Sequence, residues 1–348
     1  PSVGFLPGGA IPHVFILCSL FGIFTYNKKD IIILIISSLF LVTFIDKTSG
    51  FLSLFAYLTG VLFFFSFSSV KWVEYKSVII VLISILLIDS FLGFILSIGN
   101  ERSYTFLGNE PSHIARFYFS LIFILYIIDS KYRKKLILLS FIFLLFNSSF
   151  TSFVFALAFS IYCFLETKFV DIIKGGILLL SILSVFFIFP IQSRFLNQFN
   201  TIKEIVFNQK AMSTDNLFLL NKIGSRRLTQ SFLGYEMSKP FEGVGLGSSK
   251  DFFINNAINY NSTLRKISNI SSRENIAPTS YFAQMSFEIG YINSTLFLFI
   301  VLSRKLFSNI KKIDLFLFSF GILQLLFLST IVFVTPWLFL SLSLRKIT

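Results

Sequence analysis

The residues able to do chemistry in this chain gather in three short polar stretches set between long apolar runs. The first, residues 99–116, reads GNERSYTFLGNEPSHIAR and packs Glu101, Arg102, Glu110, His113 and Arg116 together. Pro111 suits the first turn of a helix, which puts Glu110 near the N-cap and places His113 and Arg116 three residues apart on one face. A carboxylate, an imidazole and a guanidinium so gathered can bind a hydroxyl group and take its proton. The same residues also make an ordinary helix start with a capping acid and interfacial cations.

The second stretch, residues 224–247, reads GSRRLTQSFLGYEMSKPFEGVGLG. Arg226 and Arg227 present two rigid donor forks suited to phosphate oxygens. Gly243, Gly245 and Gly247 allow a tight turn or a close backbone approach. GVGLG follows no strand and opens no βαβ unit, so it is not a dinucleotide fingerprint. The third, residues 272–290, reads SRENIAPTSYFAQMSFEIG. Pro278 and Thr279 mark a helix start, which carries Glu288 nearly three turns into an apolar run beside Gln284. Ionisable groups at such depth face a bundle interior or a wet cavity. Asp89 is the other one, and for both a structural partner and a substrate cavity remain open readings. There is no phosphate loop, zinc-protease motif, CxxC or GxSxG, and Cys18 and Cys163 lie far apart in apolar runs.

The elements that must position these groups follow from composition. The chain has 348 residues, 55% hydrophobic and 14% charged, with 49 Phe. A soluble domain carries about a quarter charged residues, and a disordered chain far fewer apolar ones. The expected fold is therefore all-α, a polytopic integral membrane protein. Apolar runs predict about eleven spans, at 10–26, 30–45, 51–69, 78–98, 113–129, 136–148, 150–165, 172–190, 279–303, 313–329 and 331–344, in one membrane domain covering 1–348. The chain begins at Pro1, and an upstream span would make twelve. Parity of the basic flanks splits residues 136–165 into a hairpin at Asn147, Ser148 and Ser149, and splits 313–344 near Ser329 and Thr330, with Thr335 and Pro336 as a competing turn.

The connecting loops sort the cations. One set holds sixteen (Lys28 and Lys29; Lys71 and Lys76; Lys131, Arg133, Lys134 and Lys135; Lys168 and Lys174; Arg304, Lys305, Lys311 and Lys312; Arg345 and Lys346). The alternate short loops hold three, Lys47, Arg102 and Arg116. Cation bias places the first set in the cytoplasm. That pattern also argues against nucleic acid as the partner of a chain with net charge +13. Residues 191–278 then form one large external loop, with eleven cations against six acids and short helical patches at 202–207 and 217–220. A loop of this length is usually functional or a solvated spacer.

Taken together, these stretches resemble the O-antigen polymerase and ligase superfamily of bacterial inner-membrane glycosyltransferases. Glu110, Pro111 and Ser112 at a helix start after an external loop are similar to a motif common in the polymerases. The Arg226–Arg227 pair followed by KPFEGVGLG looks like the R…PxxGxGxG segment of the large periplasmic loop, and residues 279–290, ending in E-x-G, look like the segment that returns into the membrane. Ligases of the superfamily often carry His where this chain has Thr279; Arg273 lies near enough in sequence to supply a cation there.

The resemblance implies a substrate and a site. The substrate would be an undecaprenyl-pyrophosphate-linked oligosaccharide repeat unit, polymerised into a surface polysaccharide without metal, nucleotide or other cofactor. Arg226, Arg227, Arg273, Arg102 and Arg116 would bind the pyrophosphate, and Glu110 or His113 would orient or deprotonate the acceptor hydroxyl. The active site would face the periplasm, with the lipid bilayer and a chain-length regulator as partners. The alternatives are a ligase moving finished glycan onto a lipid or protein acceptor, a transporter or flippase for a lipid-linked glycan or another anion, and a structural scaffold. The absence of internal repeats and the gathering of cations in one external loop favour an enzyme over a carrier.

Overall fold

The computed structural model describes residues 28–46, 48–97, 105–107, 111–147, 149–166, 231, 234–235, 237–249, 252, 278, 280–306, 312–328 and 335–343. Helix is the only regular structure among them. In chain order these are α1 (Lys28–Val42), α2 (Thr48–Ser69), α3 (Lys76–Ser97), α4 (Pro111–Ile128), α5 (Arg133–Phe146), α6 (Phe150–Glu166), α7 (Tyr281–Ile289), α8 (Tyr291–Leu306), α9 (Lys312–Leu323) and α10 (Thr335–Leu342), with 3-10 turns at Trp72–Tyr75 and Ser130–Tyr132. Gly50–Ser69, Trp72–Ser97 and Pro111–Ile128 are long and apolar enough to cross a membrane; the apolar helices over Thr151–Glu166, Tyr291–Ser303 and Asp314–Phe327 are shorter. The expected spans at 10–26 and 172–190, and the helical patches at 202–207 and 217–220, lie outside the described residues.

At Asn147 the chain turns where the sequence analysis expects it to. α5 ends at Asn147, and α6 begins at Phe150 and packs back on it. The Asn147 side chain closes this turn: its Oδ1 accepts from the Ser152 hydroxyl at 2.7 Å, and its Nδ2 donates to the Pro111 carbonyl at 3.0 Å. Residues 329–334 lie outside the described ones, but α10 starts anew at Thr335 and packs along α9. The single span expected over 279–303 needs correction. It is two helices, α7 and α8, broken at Gly290, whose φ of +91° no helix contains. The helix start is also corrected by a residue or two: Ser280 is the N-cap, its hydroxyl accepting from the Ala283 N–H at 3.1 Å.

Two aromatic-rich cores share α10. Phe339 packs in the core of α3, α4, α5, α6 and α9, edge-on to Phe123 and Phe320, while Trp337 and Leu340 belong to the core of α1, α2, α7 and α8. Trp337 meets Tyr281 and Phe64, and a Cβ on Gly60 of α2 would lie 2.2 Å from its indole nitrogen. Only glycine lets α2 and α10 approach this closely. The outer faces of α1 and α3 stay apolar and exposed, with Leu39, Val81 and Ile88 more than half exposed. This is the composition of a lipid-facing surface.

Element ends meet in two groups that match the two cation sets. Lys76 bonds Asp129, and Arg133 bonds Glu166 at 2.6 Å. At ends belonging to the other set, Leu246 N–H donates to the Phe44 carbonyl at 2.9 Å and Asn147 bonds Pro111; within α3, Asp89 Oδ1 accepts from Phe106 and Leu107 N–H at 2.9 and 3.0 Å.

Candidate functional site

The helix break at Gly290 leaves backbone groups without intrahelical partners: the last carbonyls of α7 and the first N–H groups of α8. Residues 239–246, the KPFEGVGL part of the second polar stretch, fill it. Val244 and Gly245 N–H donate to the Phe287 and Glu288 carbonyls at 3.2 and 3.0 Å, and Tyr291 and Ile292 N–H donate to the Lys239 and Pro240 carbonyls at 3.0 and 2.9 Å. Asn293 Nδ2 adds a bond to the Phe241 carbonyl at 2.8 Å. Buried backbone groups need partners, and here one loop supplies them on both sides of the break.

Glycine makes the fit possible. A Cβ on Gly243 would lie 2.0 Å from the Glu288 carbonyl oxygen, and one on Gly290 would lie 2.8 Å from the Phe241 carbonyl carbon. Gly245 and Gly247 have φ of +91° and +77°, turning the chain so that Leu246 drops fully buried into the core of α1, α2, α7 and α8. The Leu246 carbonyl sits 2.8 Å from where a Cβ on Gly50 would be, so the loop is also clasped by the start of α2.

At the centre of this junction is the Glu288 carboxylate, 1% exposed. Oε2 accepts from the Tyr57 hydroxyl of α2 at 3.0 Å; Oε1 accepts from the Ser249 hydroxyl at 2.8 Å and from Gln284 Nε2 at 3.1 Å. The Gly247 N–H also donates to the carboxylate. All four donors are neutral, and they come from α2, α7 and the glycine loop. Such a carboxylate ties three segments together through hydrogen bonds to an acceptor that water does not reach. Tyr281, edge-on to Tyr57 and donating to its carbonyl at 3.2 Å, holds the tyrosine in place.

Of the expected site residues, His113 and Arg116 are described. They sit in the first two turns of α4, which starts at Pro111 as expected. His113 is half-buried and Arg116 is 2% exposed. Neither is among the partners of Glu288, so the structure shows two polar centres: the Glu288 junction, and the start of α4 tied to Asn147. Glu110, Arg102, Arg226, Arg227 and Arg273 lie outside the described residues. Asp89 Oδ1 has structural partners, accepting from the backbone of residues 106 and 107, while Oδ2 is buried with no hydrogen-bond partner among the described residues.

The sequence does not single out Tyr57 or Ser249, and it marks Gly290 only as the end of the E-x-G segment, not as a helix break. Ser249 lies two residues beyond the last loop glycine, and Tyr57 is the one phenol inside its apolar run. Asking what could satisfy a carboxylate at the depth of Glu288 points to such residues, although not to these two in particular. Comparison with family models, curated proteins and solved structures returns no match for this chain.

Proposed function

We propose that the chain is a membrane glycosyltransferase that polymerises undecaprenyl-pyrophosphate-linked oligosaccharide repeat units into a surface polysaccharide of O-antigen type, working at the periplasmic face of the bacterial inner membrane. One observation carries this reading. The glycine loop and the E-x-G segment, two of the three stretches on which the resemblance rests, are joined by hydrogen bonds around Glu288. Arg226 and Arg227 precede this pinned segment in the sequence. The start of α4, with His113 and the buried Arg116, is a second fixed group.

In the reaction, an acceptor sugar hydroxyl attacks the anomeric carbon of the donor, and the bond to the pyrophosphate breaks. Arg226, Arg227 and Arg273, with Arg102 or Arg116, bind the departing pyrophosphate and stabilise its growing charge. Glu110 or His113 receives the hydroxyl proton. The linkage is already activated, so the step draws on no nucleotide.

A carrier of lipid-linked glycan is the second reading, because a broken helix is a device of transporters. In carriers, though, the half-helix ends face the substrate. Here the N–H groups opening α8 are taken by the Lys239 and Pro240 carbonyls of the protein's own loop. A ligase would share the fold, and Thr279 stands where ligases often carry His.

The test is reconstitution of the purified protein in vesicles with the lipid-linked repeat unit and no nucleotide. A product ladder spaced by one repeat is expected. Arg227→Ala should lower its rate about 100-fold, the loss of one preorganised donor. Intact protein that consumes no donor lipid would overturn the reading in favour of transport.

A further inference from the structure

The opposite set of helix ends carries an unbalanced charge. The 3-10 turn Trp72–Tyr75 packs on α4, Lys76 bonds Asp129, and the Lys76 ammonium lies 4.9 Å from the centre of the Tyr132 ring, so the α2–α3 and α4–α5 turns make one surface. Among the described residues its acids each face a cation, Glu74 of the 3-10 turn having Lys71 3.7 Å away. Asp129 accepts from Lys76 and from the Lys131 N–H at 2.9 Å, and Glu166 takes Arg133 at 2.6 Å while that guanidinium lies over Tyr126. Lys131, Lys134 and Lys135 are left exposed, three and four residues apart along the run from Ser130 into α5. Three lysines there repel one another and sit at the positive end of the α5 dipole, the end that favours anions. Just beyond them the surface turns apolar, with Leu138 of α5 at 59% exposure and Val78 of the adjoining α3 at 55%.

We propose that this face seats an anionic phospholipid, its phosphodiester on Lys131, Lys134 and Lys135 and its acyl chains along Val78 and Leu138. The apolar stripe fixes the source of the phosphate as a lipid, since a soluble anion has no use for it. The lipid neutralises the three lysines and the helix end at once, and each lysine near an anionic headgroup adds roughly a fivefold gain in affinity.

The full chain, purified in detergent with equal phosphatidylglycerol and phosphatidylcholine, tests this by native mass spectrometry of retained lipid. Phosphatidylglycerol should be retained on the order of a hundredfold over phosphatidylcholine. The triple variant K131Q/K134Q/K135Q should bring that ratio near one. The variant K28Q/K29Q, which removes two exposed cations from α1, should leave it unchanged. Equal retention of both lipids by the unsubstituted chain would overturn the proposal, and so would the same loss in K28Q/K29Q, which would make the preference one of bulk charge.

Discussion

At the scale of the residue, Glu288 shows how a carboxylate is kept inside an apolar bundle. Its hydrogen-bond partners among the described residues are all neutral: hydroxyls of Tyr57 and Ser249, an amide of Gln284 and the Gly247 N–H. A hydrogen bond of this kind contributes about 1 kcal/mol net, while a buried donor left without its acceptor costs about 1–3 kcal/mol. Glu288→Ala strands two hydroxyls and a backbone N–H together, and should lower unfolding stability in detergent by about 3 kcal/mol or more. Tyr57→Phe takes one donor from the buried Oε2 and leaves the other donors in place, so it should cost about 1–2 kcal/mol. A Glu288→Ala variant as stable as Tyr57→Phe would show that the carboxylate holds no junction.

At the scale of the element, the break between α7 and α8 is built by two glycines in different ways. Gly290 supplies a φ that side chains resist, and Gly243 supplies the space through which one backbone passes another. Neither obstacle can be relieved by a rotamer change, because the crowded atoms at both positions are backbone. Gly243→Ala should therefore expel the loop from the break, freeing the Val244 and Gly245 amides. Hydrogen exchange of the segment 243–246 should quicken at least tenfold, while α4 and α6 exchange as before. Unchanged exchange in that segment would mean that the loop is not docked through its backbone.

At the scale of the whole molecule, α10 is the element on which both cores lean, with every residue from Thr335 to Ser343 buried. In lipid, helices gain little from hiding apolar surface, so close packing carries the association. Trp337→Ala should leave a cavity between α2, α7 and α10 and cost about 3–5 kcal/mol. Leu52→Ala, at 77% exposure on the outer face of α2, should change stability by less than about 0.5 kcal/mol. Thermal unfolding of the two variants, each at normal membrane abundance, would separate a packing role from a general sensitivity to truncation.

The sequence by itself determined the helical class, the positions of the apolar runs, the turn at Asn147, and the start of α4 at Pro111. These follow from local composition: charge and polarity interrupt an apolar run, and proline opens a helix. It also showed that Glu288 must have partners, because burial of a carboxylate demands them. Only the tertiary structure decided which partners those are. Tyr57 and Glu288 stand 231 residues apart, and Ser249 and Glu288 stand 39 apart. The break at Gly290 was illegible for the same reason. Residues 279–303 read as one apolar run, and a glycine inside such a run is normally tolerated in a helix; it is the loop carbonyls of Lys239 and Pro240 that make breaking the helix cheaper than continuing it. Contacts between distant segments are set by packing, and hydropathy along the chain carries no record of them.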